Sequence, residues 1–173
     1  MLKALLFSTA VSLVAGFGVS AQAEPASKTC AAAANELGFL VGRWSASAQY
    51  PDSGKVEQLD YRVEPGAGCA WLAGAGSAPD GSFDARDMWG RDPRTNEVVR
   101  VLFDSSGALG TFRSPGWNGD TLVLEGEVLS GNGAARFRQT ITRLNSDTFK
   151  AVWEAHRDGA WKAYLVETVT RKT

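Results

Sequence analysis

From Phe39 onward, apolar residues recur at every second position in short runs separated by turn chemistry. Residues 56–63 set Leu59, Tyr61 and Val63 against Asp60, Arg62 and Glu64. Residues 121–128 set Leu122, Leu124 and Val128 against Val123, Glu125 and Glu127. A period of two marks a strand with one buried face. Ten strands follow, over residues 39–50, 56–63, 69–76, 85–91, 98–103, 109–113, 121–128, 135–143, 148–156 and 161–171. Pro51-Asp-Ser-Gly54, Pro65-Gly-Ala-Gly68, Asp104-Ser-Ser-Gly107 and Ser130-Gly-Asn-Gly133 are typical of the segments between them, and their residues suit tight turns. Short connections force neighbouring strands antiparallel, and a long meander removes its edges by closing. The expected fold is therefore all-β, an antiparallel up-and-down β-barrel of about ten strands. A two-sheet sandwich is the alternative, and it more often carries longer crossovers.

Ahead of the first strand, Thr29 suits the cap of a short helix over residues 30–37, with Gly38 ending it. This N-terminal helix is expected to cap one end of the barrel, the end that up-and-down topology gives to Trp44, Cys69, Trp117 and Arg171. The opposite end, with Tyr50, residues 78–82 and residues 156–159, is the expected mouth. If the first and last strands close the barrel, Trp44 and Arg171 can stack as a structural cation–π pair.

The first 23 residues follow another pattern. Lys3 precedes an apolar run to about Gly18, and Ala21-Gln-Ala23 is an A-x-A cleavage site. A signal peptide over 1–23 is expected, then a flexible lead and short helix over 24–36, and the barrel domain over 37–173. An uncleaved anchor is the alternative, but Ser8, Thr9 and Ser12 interrupt a run already short for a span. The mature chain is thus expected to be periplasmic or secreted, with no membrane span after cleavage. Removing Lys3 from the 18 basic residues leaves 17 against 19 acidic ones. That balance offers no footprint for nucleic acid. In an oxidising compartment Cys30 and Cys69 favour one disulfide over two free thiols. The chain-entropy model gives such a loop roughly 4 kcal/mol.

Gly42-x-Trp44 with Arg171 resembles the calycin pattern shared by lipocalins and fatty-acid-binding proteins. The fuller run is Leu40-Val-Gly-Arg-Trp44, Asp87-Met-Trp-Gly-Arg-Asp92, Ser114-Pro-Gly-Trp-Asn-Gly-Asp120 and Thr168-x-Thr-Arg171. It is similar to an uncharacterised family of secreted bacterial calycin-like barrels. The resemblance implies a barrel and, by analogy, ligand binding. The chain lacks the helical pair that fatty-acid-binding proteins insert after their first strand, so fatty-acid specificity is not implied.

Catalytic parts are few. His156 is the only histidine, too little for a zinc or copper site, and no metal site or cofactor is expected. No nucleophile elbow, phosphate loop or dinucleotide fingerprint is present. A single-histidine haem site needs an inward imidazole, and His156 shares a face with Lys150, Val152 and Glu154 rather than Phe149, Ala151 and Trp153. Six tryptophans stand out. Trp44 is assigned to closure and Trp117 to the closed end. Trp71, Trp89, Trp153 and Trp161, with Tyr61, are the candidates for lining a cavity. Gln139 shares a face with Phe137 and Ile141. Glu167 shares one with Trp161, Ala163, Leu165 and Val169. A carboxylate inside a barrel must be paired or protonated, so Glu167 is either one half of a structural pair with an Arg, the preferred assignment, or a ligand anchor. Arg100, Arg138 and Glu154 fall on the opposite parity and are expected in solvent.

The function that follows is binding of a small apolar or aromatic molecule among Trp and Tyr, with a Gln, Glu or Arg fixing one polar end. It requires a cavity of roughly 300 Å³ or more. A carboxylate-dependent enzyme and a packed barrel acting as an interaction or envelope module are the alternatives. No catalytic residue is assigned, and oligomeric state stays open.

Overall fold

A computed structural model of the chain describes residues 36–173. Its eleven strands are β1 (Gly42–Gln49), β2 (Val56–Pro65), β3 (Trp71–Ser77), β4 (Asp84–Arg91), β5 (Val98–Asp104), β6 (Leu109–Ser114), β7 (Trp117–Asn118), β8 (Thr121–Ser130), β9 (Gly133–Asn145), β10 (Thr148–Arg157) and β11 (Ala160–Arg171). The order is β6-β5-β4-β3-β2-β1-β11-β10-β9-β8, and β6 pairs with β8, so ten strands close into a barrel. Every pairing is antiparallel. The strand the sequence did not mark is β7, two residues inside the sixth turn that pair with Leu122 and Thr121 at the start of β8.

No α-helix occurs among the described residues. The helix expected over 30–37 falls mostly outside them. Glu36 and Leu37 form a turn that leads into a 3-10 turn at Gly38–Leu40. The signal peptide and Cys30 also lie outside the described residues, and with Cys30 the expected pairing to Cys69. No helix among the described residues is long and apolar enough to cross a membrane.

Inward positions keep a period of two along the strands, interrupted by a bulge in β11. Trp44, Ala46 and Ala48 on β1 pair with Arg171, Val169 and Glu167 on β11, and Leu72 on β3 pairs with Trp89 on β4. Trp44, Val98, Phe112, Leu122, Leu124 and Ile141 are essentially without solvent exposure.

One end is stoppered by aromatic rings. Phe39 packs against Trp44, Trp117 and Phe149 at centroid distances of 5.7, 6.2 and 5.9 Å, and Trp44 meets Phe149 at 5.1 Å. Such pairs add about 0.5–1.5 kcal/mol each beyond area burial. Arg171 lies 3.9 Å over the Trp44 ring and donates to the carbonyls of Val41 and Phe39 at 2.8 and 3.1 Å. Trp44 Nε1 donates to Leu40 O at 2.8 Å. The last strand thereby holds the segment entering the first. Gly42 makes this possible, because its φ of +140° is unfavourable for other residues and a Cβ there would strike the Arg171 guanidinium.

Above this stopper the barrel changes character. Gly74 and Gly76 on β3, Ala85 on β4 and Ala151 on β10 face inward, where the lower barrel has large rings. A Cβ on Gly76 would lie 2.6 Å from the Tyr61 ring, and one on Gly74 would overlap the Asp87 carboxylate. Small residues here make room for neighbouring large ones. On the outer wall, Phe103, Leu109 and Leu129 stand side by side in register across β5, β6 and β8, each about half exposed.

Candidate functional site

The upper barrel holds a cavity of about 80 Å³. Its floor is Leu40, Trp44, Ile141, Phe149 and Val169, and its walls include Tyr61, Gly76, Ala85, Asp87, Trp89, Arg100, Leu102, Gln139, Ala151, Trp153 and Glu167. The volume falls well below the roughly 300 Å³ expected for a drug-sized ligand. It has room for only a few water molecules. Trp89 and Trp153 are among the side chains that enclose it.

Two polar clusters reach into this space from different walls. On one, Arg100 of β5 donates from Nε and Nη2 to Asp87 Oδ2 at 2.9 and 2.5 Å, and from Nη1 to Gln139 Oε1 at 2.7 Å. Its guanidinium lies 4.3 Å from the Trp89 ring centre and 5.2 Å from that of Trp153. Both charged side chains are about nine-tenths buried. A buried pair of this kind roughly breaks even against apolar replacements, so it fixes groups in place more than it stabilises the fold.

On the other wall, Glu167 of β11 accepts from Tyr61 Oη at 2.5 Å and from Trp153 Nε1 at 3.1 Å. Only 3% of Glu167 is exposed. Burial pushes its carboxyl above the usual range, while the Tyr61 and Trp153 hydrogen bonds and the Arg100 charge pull it back in part. Tyr61 is pushed well above the ordinary phenol range by burial and by the Glu167 carboxylate beside it. Among the described residues no Lys or Arg forms an ion pair with Glu167. The structural pair preferred from sequence is thus replaced by two neutral donors.

Two buried polar atoms on cavity-lining residues lack a hydrogen-bond partner, the acceptor Asp87 Oδ1 and the donor Trp89 Nε1. Orphans of this sort are few in folded proteins and cost about 1–3 kcal/mol each. Among the described residues, no three His, Cys, Asp or Glu side chains converge as metal ligands do.

Of the residues singled out from sequence, Tyr61, Trp89, Gln139, Trp153 and Glu167 line this cavity together. Trp71 and Trp161 do not. Trp71 sits on the opposite face of β3 from Leu72 and packs on Gly90, where a side chain would collide with its ring. It borders a separate depression with Glu36, Leu37 and Cys69. Trp161 is displaced by a β-bulge. Trp153 pairs with Leu165 but Glu154 pairs with Ala163, so Tyr164 is the extra residue and the strand's faces exchange there. Trp161 therefore leaves the face of Glu167 and lies against Arg138 at 4.8 Å and His156 at 5.1 Å. Arg138 is ion-paired with Glu154 at 2.8 Å on that outer face.

Arg100, expected in solvent, is a cavity residue. Its strand is apolar on both sides, so alternation did not mark which side faces in. Asp87 was not singled out either, although it is two residues from Trp89 and shares its parity. A buried carboxylate on that face demands a cation across the ladder, which is the signal that finds Arg100.

No family model matches the chain, and no curated protein matches it. Among solved structures it is similar to a redesigned β barrel, b11L5F_LGL, at 15% identity and a TM-score of 0.40, covering 80% of this chain and 96% of that one. It is similar to EF1p2_mFAP2b bound to DFHBI at 16% identity and 0.40, covering 79% and 97%. It is also similar to the redesigned β barrel mFAP1 bound to DFHBI at 17% identity and 0.40, covering 79% and 98%. At such identities and TM-scores, nothing about a ligand carries over from those proteins.

Proposed function

We propose that this barrel binds a small molecule, of a few heavy atoms or with a head group of that size, in the cavity between the two polar clusters. The reading rests on one observation. A cavity of about 80 Å³ lined by Trp89 and Trp153 is also lined by a buried carboxyl, Glu167, whose hydrogen-bond partners are the neutral donors Tyr61 and Trp153. Rings supply apolar contact, and Glu167 and Gln139 supply orientation. The Trp44–Arg171 closure supports a calycin-like kinship. A signal peptide over 1–23, a periplasmic or secreted location and a Cys30–Cys69 disulfide belong to the same proposal.

Native mass spectrometry of the full chain, purified from its own host without refolding, tests this. A bound mass is expected in the natural protein and lost in Gly76→Ala, whose Cβ drives Tyr61 into the cavity. Protein that is clean in both forms, with Trp fluorescence indifferent to small apolar and polar probes, would overturn the proposal. A packed interaction module would then be the better reading, and the outer row of Phe103, Leu109 and Leu129 is the observation that favours it.

A further inference from the structure

We infer that the ligand of this cavity is a small organic cation carrying N–H donors, held by Glu167; this rests on the binding reading above. Charge counting within the barrel wall points that way. Arg86 also lines the cavity but is half exposed and ion-paired with Asp84 at the surface, which leaves Asp87, Arg100 and Glu167 as the buried charged side chains, two potential anions against one cation. Arg100 is already committed, with hydrogen bonds to Asp87 and Gln139 and its guanidinium against Trp89 and Trp153. It has little left to offer an anion.

Glu167 is in the opposite position. It is almost fully buried and lines the cavity, and its two oxygens accept only from neutral donors, Tyr61 Oη and Trp153 Nε1. A carboxylate offers about four acceptor sites, so roughly half of its capacity remains. A buried carboxylate is costly until a cation joins it. An anion would meet the Glu167 carboxylate, and a neutral guest would leave it without an ion-pair partner.

Three probes of nearly equal size separate these cases: methylguanidinium, N-methylurea and propionate. Each is titrated into the natural protein while the indole N–H signals of Trp89 and Trp153 are followed by NMR. Methylguanidinium is expected to bind at least tenfold more tightly than N-methylurea, and propionate to leave both signals unmoved. Glu167→Gln should bring methylguanidinium down to the level of N-methylurea. If N-methylurea or propionate binds as well as the cation, the inference is overturned while ligand binding stands. If none of the three binds, and neither benzene nor indole shifts these signals, the binding reading falls with it. The ranking in the natural protein decides the matter even if Glu167→Gln does not fold.

Discussion

Arginine lies over tryptophan at both levels of this barrel, with different results. At the stoppered end, Arg171 covers Trp44 and Arg143 covers Trp117, at 3.9 and 3.6 Å. Arg171 spends its donors on the carbonyls of Phe39 and Val41 and on Asp147 at the surface. Phe39 and Phe149 fill what space remains. Higher up, Arg100 covers Trp89, but its partners are the buried Asp87 and Gln139, and small Gly76, Ala85 and Ala151 line the same cavity. The cation–π contact therefore says nothing by itself about role. Partner and neighbour size decide whether it seals the chain or lines a cavity.

The comparison is broken most forcefully at its sealed end. Trp44→Ala removes a ring with 1% exposure and should cost about 3–5 kcal/mol by urea unfolding. A loss below about 1 kcal/mol would mean that the stopper is not the stability centre. At the upper level, Arg100→Met strands Asp87 in the barrel and should cost about 3 kcal/mol, whereas Arg100→Met with Asp87→Leu should recover most of it. If the double change is no better than the single one, the two side chains are not coupled as their geometry implies.

The smallest effect is in the pH dependence, and it separates the levels by sign. The native Glu167 carboxyl titrates above its ordinary 4.5, so the folded chain holds that proton more tightly than the unfolded chain does. Stability should fall as pH rises from that value through the raised native one, then level off. Asp92, near the stoppered end, behaves oppositely. The Arg94 amide and Arg113 hold it below its ordinary 3.8, so its contribution is present above that value and fades as pH drops through the lower native one. Urea unfolding across this range should show the falling limb in the natural protein and not in Glu167→Gln. A limb that persists in the variant belongs to another group.

Much of this was legible along the chain. Leu59, Tyr61 and Val63 alternate as a strand with one buried face must, and Trp44 and Arg171 announce closure because they flank the seam between first and last strands. Legibility ended where physics gave the chain no local mark. Val98-Val-Arg-Val-Leu-Phe103 is apolar on both faces, so its inward side is chosen by Asp87 on the neighbouring strand rather than by its own pattern. Trp161 lies beyond a bulge, and nothing in Ala163-Tyr-Leu165 advertises the extra residue. Cavity size was hidden for a third reason. It depends on how far the inward side chains reach across, which parity cannot tell.

The contact between Gly74 and Asp87 sets an order for change over generations. Any side chain gained at position 74 would land where the carboxylate now lies. A lineage departing from this interior would have to shorten Asp87 before position 74 could grow, and Arg100 would need a new companion before either. The three positions should drift as a set, in that sequence, or not at all.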